Sequence, residues 1–276
     1  MSERDGFQPG VPSWVDNLAR NPRRQTDFYG ALFGWEFTGP GAMPGDPPGE
    51  YFVAQLRGRE VAGIGSLPQG GELEPAWNTY IEVENVDSAA QDVEAAGGKV
   101  LAGPFDAPPA GRIAAVADGA GAPFGIWQPD ARQGAELVNE PSAWSMSALN
   151  TPDLDESAEF YRAVFGWETM PFQLGEFEVT MFRLPGYVGG TPEQPVPRDV
   201  VATMAPLAGE NGNEPKAHWS VDFWVGDVDA TAGRAAELGG TVVMPPYDIP
   251  GFRQAVLMDP EGAAFSATQL MMGDPA

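Results

Sequence analysis

The chain is written twice. Phe28-Tyr29-Gly30-Ala31-Leu32-Phe33-Gly34-Trp35-Glu36 returns as Phe160-Tyr161-Arg162-Ala163-Val164-Phe165-Gly166-Trp167-Glu168. Val83-Glu84-Asn85-Val86-Asp87 returns as Val225-Gly226-Asp227-Val228-Asp229, and Asp118-Gly119-Ala120-Gly121-Ala122-Pro123-Phe124 as Asp259-Pro260-Glu261-Gly262-Ala263-Ala264-Phe265. Three matches in the same order mean one unit duplicated, with a longer insertion in the second copy. Such a repeat restricts the chain to two copies of one architecture. The length of 276 residues suits two ordinary domains.

Each half divides again. In the first, Trp14–Leu18 alternates as a strand. A helix from Arg23 to Phe33 ends at Gly34, and strands follow at 35–38, 51–56 and 61–67. A second unit opens with strand 78–83, then helix 86–96 stopped by Gly97-Gly98, then strands 99–101, 112–117 and 123–128. The second half repeats the pattern: strand 145–149, a helix opened by Pro152-Asp153-Leu154-Asp155 and running to Phe165, strands 168–170, 178–183 and 200–206. Strand 220–225, helix 228–238 and strands 241–244, 254–258 and 264–270 complete it. The order βαβββ occurs twice per half. The boundaries read as domain one over 12–130, a linker over 131–143 and domain two over 144–270. Gly- and Pro-rich stretches at 39–50, 185–199 and 208–216 read as loops that rim the sites and can act as lids.

These motifs resemble the vicinal oxygen chelate superfamily, which contains glyoxalase I, bleomycin-resistance proteins, fosfomycin-resistance enzymes and extradiol dioxygenases. Trp14-Val15-Asp16, Trp77-Asn78-Thr79-Tyr80 and Gly125-Ile126-Trp127-Gln128 bring the chain nearest to the tandem glyoxalase-like members. The resemblance implies an α+β fold of two tandem domains. Each is a pair of βαβββ units forming a curved, cup-like mixed sheet, with helices outside and a ligand cavity inside.

It also implies where a metal would sit. The first ligand of the family stands fourteen residues before the helical Phe, at Trp14 and Met146 here. The second stands nine before the Asp of the Val-Asp pair, at Asn78 and Ser220. The closing Glu stands seven after the turn Asp, at Gly125 and Ser266. None of the six is a histidine or a carboxylate, and such a set cannot assemble a tight site for a divalent transition metal. The chain has one histidine, His218, and no cysteine, so disulfides and thiolate chemistry are excluded. Asp16 and Asp222, each two residues from a ligand position, leave room for a weak carboxylate site. The expectation is no metal and no cofactor, with glyoxalase I and ring-cleaving dioxygenase activities disfavoured.

Strand alternation assigns faces. Trp14 and Asp16, Asn78, Tyr80 and Glu82, and Trp127 point into the first cup. Met146 and Ala148, Ser220, Asp222 and Trp224, and Ser266 and Thr268 point into the second. Aromatic faces with a few polar groups suit a flat, partly apolar molecule. Carboxylates on such a face need solvent or a partner. Arg112 and Arg253, each six before its turn Asp, are the candidate partners, and Arg253 is also a candidate ligand contact. Asp222, His218 and Asp16 are the candidate acid–base residues.

The net charge of −24 disfavours nucleic acid. No apolar run reaches about 18 residues, and no secretory leader is evident, so no membrane partner is expected and the chain reads as cytoplasmic. The expected partner is a small molecule, bound by a monomer or homodimer. The leading functional reading is metal-independent binding of an aromatic or polycyclic natural product, for resistance or sequestration. The alternative is a metal-free cyclase, isomerase or lyase of secondary metabolism, using Asp/His acid–base chemistry. A third class, an interaction protein with vestigial cups, would show large side chains filling both cavities.

Overall fold

The structure is a computed structural model that describes residues 3–43, 47–68, 73–174, 177–189, 197–207 and 216–271. The first sheet is built from β1 (Pro12–Ala19), β2 (Glu36–Met43), β3 (Gly49–Leu56), β4 (Arg59–Ser66), β5 (Ala76–Glu82), β6 (Lys99–Ala107), β7 (Gly111–Ala117) and β8 (Pro123–Pro129). Its helices are α1 (Pro22–Phe33) and α2 (Val86–Ala95). The second sheet is built from β9 (Trp144–Thr151), β10 (Glu168–Leu174), β11 (Phe177–Arg183), β12 (Val200–Pro206), β13 (His218–Trp224), β14 (Thr241–Ile249), β15 (Phe252–Met258) and β16 (Ala264–Leu270). Its helices are α3 (Leu154–Phe165) and α4 (Val228–Glu237). Strand orders are β2-β3-β4-β1-β5-β8-β7-β6 and β10-β11-β12-β9-β13-β16-β15-β14, the same topology twice. At the centre of each sheet, β1 with β5 and β9 with β13 run antiparallel, flanked by parallel pairs on both sides.

The largest departures from the sequence reading are at the sheet edges. Strands β2, β6, β10 and β14 extend well beyond their expected ends, and they are the four outermost strands. Each carries proline, which reads as a break. On an edge the lost N–H faces outward, and a bulge absorbs the misfit. The ladder slips where the prolines of β2, β6 and β14 sit, between Thr38 and Gly41, between Ala102 and Phe105, and between Met244 and Tyr247. Of the stretch 39–50, expected as a loop, residues 39–43 and 49–50 are therefore strand, and 44–46 fall outside the described residues. The loop expectations for 190–196 and 208–215 fall outside the described residues.

The repeated motifs explain their own recurrence. Asn85 and Asp227 cap α2 and α4, accepting from the backbone N–H of Ser88 and Ala230. Gln128 of β8 and Gln269 of β16 accept the N–H of Val86 and Val228. Gly34 and Gly166 close α1 and α3 with φ of 74° and 71°, left-handed values suited to glycine. Asp118 Oδ1 accepts from the N–H of Ala122, and Asp259 Oδ1 from Glu261 and Ala263, which ties the closing turns.

Neither domain has a core of its own. The helices lie outside the cups but between the two sheets. One core joins Phe28, Tyr29, Phe33 and Trp35 of the first domain to Phe223, Val228, Leu257 and Phe265 of the second. The other joins Ile81, Val86, Val93 and Phe124 to Phe160, Tyr161, Trp167 and Trp219. Each βαβββ unit thus shares its apolar face with the non-equivalent unit of the other domain. Between the sheets, Thr79 and Ser147 hydroxyls meet at 2.7 Å, and the Trp77 and Phe223 rings meet edge to face at 4.9 Å.

Candidate functional site

The two cups share a backbone and differ in what fills them. In cup 1, Asp16 is buried on β1. Its carboxylate accepts from Asn78 Nδ2 at 3.0 Å, Tyr80 Oη at 3.0 Å and Tyr51 Oη at 3.1 Å. Trp14 Nε1 donates to Tyr51 Oη at 2.9 Å. Burial pushes the Asp16 carboxyl up to about 6 against the opposing effect of those donors.

Glycine makes the space for the two tyrosines. A Cβ on Gly63 would lie 1.9 Å from Tyr51 Oη, and one on Gly125 would lie 2.0 Å from Tyr80 Cδ1. Gly125 stands where the family's closing Glu would stand, so the Tyr80 ring occupies the place of a metal ligand's side chain. Trp14 and Trp127 complete the filling, edge to face at 6.3 Å, and Trp127 Nε1 donates to the Ala110 carbonyl. The segment after β8 lies over one side: the Arg132 guanidinium sits 5.6 Å from the Trp14 ring centre and pairs with Glu60. Glu82, at the end of β5, is buried with no partner for its Oε2 among the described residues, and burial alone pushes it up to about 7.

Cup 2 replaces each of these rings. By strand register, Trp14 becomes Met146, Tyr51 becomes Val179, Tyr80 becomes Asp222 and Trp127 becomes Thr268. One ring is added, Trp224 in the place of Glu82. The carboxylate has moved one strand over: Ala148 takes the Asp16 position, and Asp222 stands on β13. Ser145 Oγ donates to Asp222 Oδ2 at 2.6 Å, and Thr268 Oγ1 to Oδ1 at 2.5 Å. Gln254 Nε2 reaches Asp222 at 3.4 Å and Thr268 at 3.0 Å, while Tyr247 Oη donates to Gln254 Oε1 at 2.5 Å. Burial pushes Asp222 up to about 6, with Ser145, Thr268 and Gln254 holding it down. A carboxyl tuned toward neutrality can both donate and accept a proton. Ser220 lies alongside, accepting from Asn150 Nδ2.

Ser145, Gln254, Tyr51, Tyr247 and Asn150 escape sequence reasoning. Ser145 falls on the wrong parity and reaches the cup through a slip in the β9–β13 ladder. Gln254 was legible from alternation on β15, and Tyr51 from asking what fills the space above Gly63 and Gly65.

Two expectations are corrected. Arg253 faces away from the cup: it pairs with Asp229 of α4 at 2.7 Å and Asp248 of β14 at 2.6 Å. Arg112 does the same with Asp87 and Asp106. Odd and even positions of β15 face opposite sides, so Gln254 enters the cup and Arg253 cannot. The cup carboxylates are met by hydroxyls and amides, not by arginine. His218 is exposed at the start of β13, with Nδ1 against the Lys216 carbonyl at 3.0 Å. It lies four positions from Asp222, about 13 Å along an extended strand, so the two do not act on one atom.

The residues present do not fit a divalent metal. Trp14 and Gly125 offer no lone pair, and Asn78 is spent on Asp16. Met146, Ser220 and Ser266 add no charge. No group of three or more His, Cys, Asp and Glu side chains suited to an ion occurs among the described residues.

A paired set of βαβββ cups in tandem defines a glyoxalase-type protein. Residues 14–127 match the model of the Glyoxalase/Bleomycin resistance protein/Dioxygenase superfamily, and residues 146–268 match a glyoxalase-like domain model. The chain belongs to that superfamily. It is 37% identical over 271 residues to "Putative glyoxylase CFP32" of Mycobacterium tuberculosis, covering 96% of this chain and 97% of the relative. It is 35% identical over 284 residues to the anthracycline biosynthesis protein DnrV of Streptomyces peucetius, covering 98% and 97%. Among solved structures, the Mn(II)-bound glyoxalase from Novosphingobium aromaticivorans superposes with a TM-score of 0.62 at 18% identity, covering 95% of this chain and 82% of the other. The 2,3-dioxygenase LapB from Pseudomonas sp. KL28 gives 0.62 at 12% identity, covering 98% and 97%. At those identities the likeness is one of fold.

Proposed function

We propose that this is a metal-independent member of the superfamily that holds a small aromatic or polycyclic metabolite in cup 2. The observation that carries the reading is the asymmetry of the cups. Four rings stand in cup 1, while the matching positions of cup 2 hold the smaller side chains of Met146, Val179, Asp222 and Thr268 around Trp224. A flat ligand gains from an aromatic wall plus a few fixed polar groups, here Trp224 with Ser220, Ser266 and the Asp222 cluster. The likeness to a protein named for anthracycline biosynthesis supports a polycyclic ligand. Cup 1 acts in this reading as a filled, structural copy.

Titration of planar aromatic metabolites, anthraquinones first, with tryptophan emission as readout tests it. Saturable quenching that Trp224→Phe diminishes is the expected result. The absence of saturable quenching by every planar compound would remove the reading.

A second reading is supported by Asp222 itself. A carboxyl held near neutral pH by burial, oriented by Ser145 and Thr268, suits proton transfer to or from a bound carbonyl or enol. In that case the protein is a metal-free isomerase, cyclase or lyase. Asp222→Asn separates the two: a binder keeps most of its affinity and has no turnover to lose, while an enzyme keeps its ligand and stops.

A further inference from the structure

We infer that a small cavity at the rim of cup 2 is a subsite for a carboxylate carried by the ligand; this rests on the reading of cup 2 as the ligand site. The cavity, of about 60 Å³, lies where the N-terminal arm, the segment after β8 and the starts of β9 and β12 meet. Arg4 and Arg198 line it, and among the described residues no aspartate or glutamate does. That is notable in a chain with 39 acidic and 15 basic residues.

Two residues that line it carry buried donors without a partner among the described residues. Trp144 is 4% exposed, and its Nε1–H has no partner among the described residues. The Arg4 Nε is likewise buried and unpartnered. A buried N–H without an acceptor is costly and calls for an occupant that accepts. Tyr187, whose hydroxyl is hydrogen-bonded to Arg4, adds a phenol at the same wall.

The chemistry of this wall is donors and positive charge, which a carboxylate satisfies with charge-assisted bonds. The cavity is small, about 60 Å³, and suits a compact group such as a carboxylate. Ser145 and Met146 also line the cavity, and Ser145 Oγ is bonded to Asp222. The cavity and the cup therefore meet at these two residues. A flat ligand beside Trp224 with a carboxyl on its edge would reach both.

Two measurements test this. In ¹⁵N-labelled protein the Trp144 indole N–H resonance, assigned through Trp144→Phe, is followed during titration with acetate. A saturable shift that Arg4→Gln abolishes is expected. No shift, an unchanged shift in Arg4→Gln, or an equal response to phosphate overturns the assignment. Anthraquinone-2-carboxylate is then compared with anthraquinone-2-carboxamide by tryptophan quenching. The acid should bind about tenfold tighter or more, and Arg4→Gln and Arg198→Gln should each reduce that advantage without altering the amide. Equal affinity for acid and amide removes the subsite but leaves the cup reading standing. An acetate response with no binding of either anthraquinone removes the cup reading, and with it the cavity's role as a ligand subsite.

Discussion

Tyr29 donates its hydroxyl to Asp259 Oδ2 at 2.9 Å, although the two stand 230 positions apart. Its counterpart is reciprocal: Tyr161 donates to Asp118 Oδ2 at 3.0 Å. Each tyrosine also accepts from a tryptophan of its own domain, Trp77 Nε1 at 2.8 Å and Trp219 Nε1 at 2.9 Å. The repeated Phe-Tyr motif and the repeated Asp turn are thus two halves of a lock, each closed by the opposite domain. Burial is the main reason the two phenols are driven well above their ordinary range, and the facing carboxylates add to it.

Tyr29→Phe should destabilise the protein by about 1.5–3 kcal/mol, because it removes a donor from a buried carboxylate and the acceptor from Trp77 Nε1. Urea denaturation measures it. Because the domains share both cores, the whole chain should melt in one calorimetric transition, and a fragment of residues 1–130 should not fold alone. Two resolved transitions would contradict the shared-core description.

Gly125→Ala should be costly where Ser266→Ala, at the matched place in cup 2, is mild. The added methyl would overlap the Tyr80 ring, and such overpacking costs about 1–3 kcal/mol. It should also loosen Tyr80 from Asp16. Melting temperatures of the two variants, measured side by side, check the contrast.

Asp16 predicts a pH dependence. Its carboxyl is raised from 3.8 to about 6 on folding. Between those values the folded chain keeps a proton that the unfolded chain has released, so this group's stability is greatest below about 4 and is lost as pH rises through about 6. Asp222 acts in the same window and direction. Replacing Asp16 by Asn should remove its share, on the order of 2 kcal/mol between pH 4 and 7. Unfolding free energies of wild type and variant across that range give the difference, and parallel curves would refute it.

Chelation should change nothing. Dialysis against EDTA is expected to leave the melting temperature and anthraquinone quenching unaltered, since the six ligand positions carry no suitable donor set. A drop in either, restored by Mn²⁺ or Zn²⁺, would overturn metal independence.

Helix starts at Asn85 and Asp227, stops at Gly34 and Gly166, and the alternation of β5 and β13 are local signals, and the sequence read them correctly. The ends of β2, β6, β10 and β14 were not legible, because whether a strand continues through its proline depends on standing at an edge, a property of the sheet. The cup faces of Trp14, Asp16, Tyr80 and Asp222 followed from alternation. Ser145 did not, because one slipped residue inverts the parity that alternation assumes.

The sequence alone determined the duplication, the order of the elements and which residue types stand at the six positions marked by the family resemblance, since each depends on residue identity and spacing along the chain. Tertiary structure decided that Arg253 turns away from Asp222, that four rings fill cup 1, and that each domain's tyrosine closes on the other's aspartate. Those outcomes depend on which side chains meet across long separations, where competing partners are chosen by packing volume and burial rather than by neighbours in the chain.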